Sequence, residues 1–271
     1  MSRSLLELSF YKHFFFKRFG IINKYEEVYH DWDSALNKSK SYQSHEILEQ
    51  IKNSALIGYQ NDKFFRDGVL FEEYEFFSEL NILLLNLSFQ KNLDKKIVIC
   101  DFGGGLGTLF FQFRKYCQLF NININYEWNI IEQDDLAIYG NEKIISKNLN
   151  FLKSSETDLE KIQADLVIFS SVLNFVQNPY IIINRLKKIK PKYIFIDRTA
   201  FWDGKYDVIT ILEANKKIKG SYPSHIFSLK EFKIQFSNLY FMKYYFNSRE
   251  GHFYFDRFKK GRYGGMIWEI K

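Results

Sequence analysis

From about residue 95 onward, short apolar runs alternate with stretches in which apolar residues recur at helical spacing. This alternation predicts an α/β fold, with a Rossmann-like, mostly parallel sheet that carries helices on both faces. The predicted strands cover residues 97–100, 127–131, 149–152, 165–169 and 193–196, and the predicted helices cover 109–119 and 180–189. In such sheets, ligands bind beyond the carboxyl ends of the strands. Polar residues at these ends are therefore the first candidates for a site.

The first part of the chain has a different pattern, in which helical spacing predominates. One helix is predicted to follow a Ser44 cap and to carry Ile47 and Ile51 on one face, and a second to run from about residue 71 to 87. The Asn-rich segment 121–125 predicts a loop before a strand. The chain is thus predicted to consist of a helical N-terminal extension, residues 1–92, and a second domain, residues 93–271.

The most informative segment is a glycine-rich turn between the first of these strands and a helix. It reads Asp101-Phe102-Gly103-Gly104-Gly105-Leu106-Gly107-Thr108. Glycines allow a tight turn and let a ligand approach the backbone. A dinucleotide-binding turn requires G-x-G-x-x-G, and that pattern fails because Thr108 stands at the third position counted from Gly103. A pyrophosphate would also lie close to the Asp101 carboxylate, which would repel it.

A carboxylate before the glycines fits a cationic ligand better. S-adenosylmethionine carries an ammonium and a sulfonium and has no phosphate, so Asp101 and the turn that follows it favour this cofactor. Glu132 ends the second predicted strand, which is the place of an acid that hydrogen-bonds ribose hydroxyls. Two other interpretations stay open, namely a tight turn that binds no ligand and a Glu132 that is only a solvated strand end.

At these residues the chain resembles the class I S-adenosylmethionine-dependent methyltransferases. More narrowly, it resembles a bacterial methyltransferase family usually encoded among genes for surface-polysaccharide (capsule or O-antigen) biosynthesis. The matching positions are Trp32, Ala35, Ser41, Tyr42 and Ile47, the segments 65–71, 100–107, 131–133 and 170–175 with Pro179, and the segments 195–199 and 221–228. The chain departs from the family pattern at Ser41, where Gly is commoner, at Ala200, where Pro is commoner, and at His225, where an aromatic residue such as Trp is more usual.

The resemblance implies S-adenosyl-L-methionine as cofactor and S-adenosyl-L-homocysteine as product. It implies that glycines of the turn hold the methionine portion, that Glu132 holds the ribose, and that residues 197–198 and 221–228 line the acceptor side. The predicted cofactor-binding residues are Asp101, Phe102, Gly103, Gly104, Gly105, Gly107, Glu132, Gln133, Ser170 and Ser171.

Three residues are candidates for the chemistry at the acceptor. Asp197 and His225 are candidate general bases for a hydroxyl acceptor, since an unperturbed imidazole titrates near neutrality. Arg198 suits a phosphate, phosphoramidate or carboxylate group on the acceptor, and Arg66-Asp67 in the extension is placed to close over the site. The alternatives are an internal Asp197–Arg198 ion pair, a salt bridge or cap at residues 66–67, and a His225 in a surface loop.

Composition and charge exclude several classes of protein. The 271 residues are 46% hydrophobic and 19% aromatic, which excludes a disordered chain, and the formal charge of +6 is spread in short clusters without a basic and aromatic strip for nucleic acid. No uncharged apolar run reaches the ~18 residues of a membrane span. Two cysteines suit a reducing compartment, so we expect a cytoplasmic protein. The five histidines lack metal-ligand spacing, so no metal is expected.

The sequence therefore predicts a methyltransferase that O-methylates a saccharide or its phosphorylated decoration during surface-polysaccharide synthesis. Its expected partner is a small-molecule or saccharide acceptor. Two competing hypotheses are an NAD(P)-dependent sugar dehydrogenase or epimerase, which shares the sheet, and a non-catalytic scaffold of the same fold.

Overall fold

The computed structural model describes residues 24–39, 45–92, 95–213, 220–256 and 259–271. Its strands are β1 (Lys24–Tyr29), β2 (Phe64–Arg66), β3 (Val69–Phe71), β4 (Ile97–Phe102), β5 (Tyr126–Glu132), β6 (Leu149–Lys153), β7 (Leu166–Ser170), β8 (Tyr193–Trp202), β9 (Val208–Glu213), β10 (Ser221–Ser228), β11 (Tyr240–Phe255) and β12 (Lys259–Ile270). Its helices are α1 (Trp32–Lys38), α2 (His45–Asn61), α3 (Ser78–Gln90), α4 (Thr108–Leu119), α5 (Asp134–Lys143), α6 (Pro179–Lys188) and α7 (Leu229–Ser237), with a short 3-10 helix at Leu173–Phe175. The predicted Ser44 cap and the matching positions Ser41 and Tyr42 lie outside the described residues.

One half of the main sheet is parallel, with the order β6-β5-β4-β7-β8. Counted from β4, this is the order 3-2-1-4-5 of a doubly wound sheet. The five strands predicted from apolar runs are confirmed, as are the helices α4 and α6 and the loop before β5. The strand order reverses between β4 and β7, and the crevice at this switch point is where such sheets bind ligands.

The sheet as a whole is mixed, which corrects the prediction of a mostly parallel sheet. The strand β12 pairs antiparallel with both β8 and β11, and antiparallel pairs lead from β10 through β9 to β1. The sheet becomes mixed because β8 is long, so that its C-terminal end lies between β12 and β10. The predicted strand ended at residue 196 because the charged pair Asp197-Arg198 interrupts the apolar run. The structure nevertheless buries both residues within β8.

The N-terminal extension is only partly helical, which corrects a second prediction. A hairpin of β2 and β3 precedes α3, which begins at Ser78 rather than near residue 71. Asp67 and Gly68 connect the two strands with φ values of 49° and 78°. A type I′ hairpin turn requires a positive φ at both of these positions. The edge strand β1 pairs with β9, so it belongs to the main sheet. Apolar spacing alone does not reveal these short strands, because pairing and turn geometry decide them.

Helices cover both faces of the parallel strands, as predicted. Ile99 and Ile168 lie in one buried cluster with side chains of α2, α3, α4 and α5. Cys100 follows Ile99 on β4, and Val167 precedes Ile168 on β7. Both side chains therefore point to the opposite face of the sheet, where they pack with α6 and α7. The extension contributes Leu84 to the first cluster, so it shares a core with the sheet.

We expect Gly265→Ala to destabilise the fold at the junction of β8 and β12. A Cβ at Gly265 would lie 2.1 Å from the Phe246 ring and 2.7 Å from the Ile196 carbonyl oxygen. Relieving the second contact would require a costly shift of the backbone. Overpacking of this kind costs about 1–3 kcal/mol. The measurement is the free energy of unfolding in urea. The matched control is Gly264→Ala, whose Cβ would have no neighbour closer than 3.0 Å and which should cost less. Equal losses would contradict this account.

Candidate functional site

The glycine turn lies at the switch point of the sheet. Gly103 and Gly105 have φ values of 70° and 59°, which L side chains rarely adopt. The Gly103 N–H donates to the Ile131 carbonyl at 2.8 Å, and a Cβ on Gly103 would lie 2.2 Å from the Val172 side chain. A Cβ on Gly105 would meet nothing within 4 Å. The turn is therefore tightly held at its start and faces open space at Gly105.

Asp101 lies beneath this turn and is fully buried. Its Oδ2 accepts a hydrogen bond from the Trp128 indole at 3.0 Å, and a Cβ on Gly104 would lie 2.5 Å from the same oxygen. Its Oδ1 has no hydrogen-bond partner among the described residues. Burial raises the pKa of Asp101 to about 7; the Trp128 bond opposes this rise, the nearby Glu132 adds to it, and Arg198 opposes it.

Glu132 joins the end of β5 to the glycine turn. Its Oε2 accepts from the Gly105 N–H at 2.9 Å, and its Oε1 accepts from the Gln133 N–H at 2.8 Å. Burial raises the pKa of Glu132, while the two backbone hydrogen bonds lower it. Each oxygen keeps a lone pair for a further donor. The turn and the predicted ribose-binding acid therefore form one continuous surface.

The end of β7 and the middle of β8 bring the next group of predicted residues together. The Arg198 Nε donates to the Ser170 Oγ at 3.2 Å, and the Ser171 N–H donates to the Asp197 carbonyl at 3.0 Å. Asp197 Oδ1 accepts from the Arg198 N–H at 2.7 Å and from the Ser248 Oγ at 2.6 Å. Burial raises the pKa of Asp197 to about 6, and the positive charge of Arg198 followed by the Ser248 bond opposes the rise.

The turn of the β2–β3 hairpin approaches this group from the extension. The Asp67 Oδ2 lies 3.8 Å from the Arg198 Nη1, and Arg66 pairs with Glu75. Arg249 on β11 lies 3.5 Å from the same Glu75 carboxylate. The structure thus places the hairpin turn beside this group, where residues 66 and 67 take part in ion pairs.

Asp197 and Arg198 line a small cavity of about 60 Å³ between β8, β11 and the start of α3. The charged groups that also line it are Arg66, Glu79, Arg249 and Glu250. Charges of both signs therefore face one another across a space large enough for only a few atoms.

His225 lies apart from this group, in β10 rather than in a surface loop. Its ring stacks on Trp32 with centroids 4.9 Å apart and on Phe227 at 5.5 Å. Its Nε2 lies 3.3 Å from the Gln177 carbonyl, which leaves the buried Nδ1 without a partner among the described residues. Burial lowers the pKa of His225, which favours the neutral imidazole, while the Gln177 backbone contact opposes the shift. Its ring makes no hydrogen bond to Asp197 or Arg198 within the described chain.

Three residues of the site were missed by the sequence analysis. Ser248 bonds Asp197 from the distant strand β11, Trp128 bonds Asp101 from the middle of β5, and Asn174 connects the His225 carbonyl to the Ala200 N–H. Asn174 was within a matching segment, but no role was assigned to it. The other two have no local signal, because only the pairing of distant strands brings them to the site.

The described residues contain no group of three or more His, Cys, Asp or Glu side chains that could hold a metal ion. Likewise, no helix within the described ranges is long and apolar enough to cross a membrane.

Comparison with known proteins finds no matching family model and no matching curated protein. Among solved structures, the chain is similar to the N-terminal domain of EvdMO1 determined with S-adenosylhomocysteine and D-fucose, at 10% identity, 84% of this chain, 97% of that chain and a TM-score of 0.48. It is also similar to magnesium protoporphyrin IX methyltransferase from Synechocystis with bound S-adenosylmethionine, at 14% identity, 72% and 79% coverage and a TM-score of 0.43. A third is an S-adenosylmethionine-dependent methyltransferase from Clostridium acetobutylicum, at 8% identity, 72% and 92% coverage and a TM-score of 0.44. Likenesses this weak carry no argument about function, and the fold assignment rests on the strand order of the chain itself.

We expect Asp101→Asn to stabilise the ligand-free protein at pH 8. In the folded chain the pKa of Asp101 is about 7, whereas the unfolded chain ionises it near pH 4. Ionisation therefore reduces stability progressively between about pH 4 and 7, and the full penalty is present above that range. Asn keeps an acceptor for Trp128 and removes the charge. The expected rise in Tm at pH 8 is at least about 2–4 °C, and it should shrink towards pH 5.

The control is Asp203→Asn on an exposed carboxylate. The hydrogen bonds from Arg262 lower the pKa of Asp203, so its contribution to stability is present above the unfolded-chain value and is lost as the pH falls. This variant should therefore lose stability at pH 8. An Asp101→Asn protein that is no more stable than the wild type at pH 8 would contradict the conclusion that burial disfavours the ionised form of the Asp101 carboxylate.

Proposed function

We propose that the protein is an S-adenosylmethionine-dependent methyltransferase. The observation that carries the proposal is the bond between the Glu132 carboxylate and the Gly105 N–H at the switch point, directly above the buried Asp101. This arrangement offers an acid for the ribose, open backbone for the methionine portion and negative charge for a cationic ligand. The Oδ1 of Asp101 has no hydrogen-bond partner among the described residues, so it can accept a hydrogen bond from the ammonium group of a cationic ligand. When bound, the cofactor supplies a methyl group that its sulfonium already activates.

The same geometry disfavours a dinucleotide. A pyrophosphate at the glycine turn would lie beside Asp101 and Glu132, and two carboxylates would repel it. The turn also lacks the third glycine that allows close helix packing, because Thr108 begins α4 there. A cofactor without phosphate avoids both difficulties.

Binding separates the three candidate functions. We expect calorimetry to detect binding of S-adenosylhomocysteine and no binding of NAD(H). The variant Gly105→Asn should weaken S-adenosylhomocysteine binding at least tenfold. Asn tolerates the left-handed backbone better than other non-glycine residues, and the space beside Gly105 accommodates its side chain in the free protein. The variant should therefore fold, with the cofactor's place obstructed. NAD(H) binding alone would support the dehydrogenase, and binding of neither ligand would support the scaffold.

The acceptor is proposed to be a saccharide, or its phosphorylated decoration, methylated on oxygen during surface-polysaccharide synthesis in the cytoplasm. The support is the family resemblance together with the polar side chains of Asp197 and Ser248, which are hydrogen-bonded to each other beside the crevice. Methyl transfer is an in-line displacement, so the protein has to align the acceptor oxygen, exclude water and, for a hydroxyl, receive its proton. The test is transfer of labelled methyl from S-adenosylmethionine to a panel of sugar phosphates and nucleotide sugars.

Asp197 is the base that the geometry favours. Its Oδ1 is held by Ser248 and the Arg198 N–H, whereas its Oδ2 makes no hydrogen bond within the described residues. With a pKa of about 6, the carboxylate is mostly ionised at neutral pH and ready to accept a proton. The stacked His225 is the second candidate.

We expect Asp197→Asn to lower turnover at least tenfold, while S-adenosylhomocysteine affinity changes less than about threefold. The loss reflects the missing proton acceptor, which typically contributes a factor of 10² or more. His225→Gln is the comparison. A large loss of turnover in His225→Gln with none in Asp197→Asn would transfer the role to the imidazole.

A further inference from the structure

Arg198 is a buried cation whose donors are largely unused. Its side chain is 10% exposed, its guanidinium lies 5.6 Å from the centre of the Phe77 ring, and its Nε bonds the Ser170 Oγ. Within the described residues its Nη groups make no hydrogen bond, and the Asp67 carboxylate stays 3.8 Å away. A buried guanidinium normally uses its planar donors on a carboxylate or phosphate. The Nη groups of Arg198 are therefore available to bind an anion.

The guanidinium belongs to the cofactor side of the crevice. Arg198 starts from β8 but reaches back to Ser170 at the end of β7, the neighbour of β4. Its charge lies close enough to Asp101, under the glycine turn, to lower the pKa of that carboxyl. A cation and a carboxylate thus lie near each other at the switch point.

This pairing of charges matches a zwitterion. The amino-acid end of S-adenosylmethionine carries an α-ammonium and an α-carboxylate on the same carbon. With the ribose at Glu132 on β5, the carboxylate would reach the region of β7, two strand spacings or about 10 Å away. The extended methionine arm spans such a distance.

The charges around Arg198 argue against a large anion from the acceptor. Asp67 and Asp197 are its neighbours, and the small cavity also carries Glu79 and Glu250. A dianionic phosphate would meet these carboxylates, whereas a single carboxylate attached to an ammonium adds no net charge.

We propose that Arg198 binds the α-carboxylate of the cofactor, with Ser170 orienting its guanidinium, rather than a group on the acceptor. This inference rests on the proposed function, because it names the residue that holds one end of the proposed cofactor.

The test compares two ligands that differ in the amino-acid end. S-adenosylhomocysteine carries the α-carboxylate, and 5′-methylthioadenosine lacks the whole amino-acid group. In Arg198→Met we expect S-adenosylhomocysteine affinity to fall about 10- to 100-fold, the usual range for a hydrogen bond to a charged group, and methylthioadenosine affinity to change less than about threefold. Competition against labelled S-adenosylhomocysteine measures both ligands in the wild type, and direct calorimetry measures them in the variant.

Arg249→Met is the matched control. Arg249 lines the same cavity but is 57% exposed and is held by Glu75 and the Phe76 carbonyl, so its loss should leave the ratio of the two affinities unchanged. Arg198→Lys keeps the charge without the planar fork and should fall between wild type and Arg198→Met, which keeps the test valid if the Met variant fails to fold.

The outcomes are distinguishable. Equal losses for both ligands in Arg198→Met would overturn the inference and indicate a purely structural residue. Unchanged affinity for both, with loss of inorganic phosphate binding, would overturn it in favour of an acceptor anion. If the wild type binds neither S-adenosylhomocysteine nor methylthioadenosine, the proposed function itself fails.

Discussion

Burying the Asp101 carboxylate costs free energy, because burial removes the water that would solvate its charge and Trp128 returns only one hydrogen bond. The rest of the crevice is arranged around this group. The glycine turn passes over it so closely that a Cβ on Gly104 would contact its oxygen. The positive charge of Arg198 lies near enough to oppose the rise in the pKa of Asp101 that burial causes. A fold retains such an unfavourable group where function needs it, since a cationic ligand that pairs with the charge recovers part of the cost.

The strand β8 links this crevice to the rest of the molecule. Its first half completes the parallel strands, its last residues pair with β10 and β12, and Arg198 between them has a φ of 50°. Ser171 and Asp67, which approach Arg198 from β7 and the hairpin, also have positive φ values. Three non-glycine residues in this sparsely populated conformation meet at one place, and local strain of this kind concentrates at functional sites.

Much of the parallel half was predictable, because buried parallel strands are apolar on both faces and appear as uninterrupted runs between helices. The antiparallel half was not. The strand β11 shows no regular alternation of buried and exposed residues, and β12 pairs with β8, which is far away in sequence, so the places of these strands in the sheet depend on contacts that no local pattern records. The hairpin at Asp67-Gly68 is a different case, because Asp-Gly is a strong local hairpin signal although the helical spacing around it predicted a helical region.

By itself, the sequence determined the α/β class, the position of the glycine turn and the acids Asp101 and Glu132 beside it, because these features depend on short-range spacing along the chain. Only the tertiary structure decided which side chains share the site. It separated the ring of His225 from Asp197, brought Ser248 to Asp197 and turned Arg198 back towards Ser170 and the glycine turn. The physical reason is that the direction of a side chain at a strand end depends on the strands packed against it, and those come from remote parts of the chain.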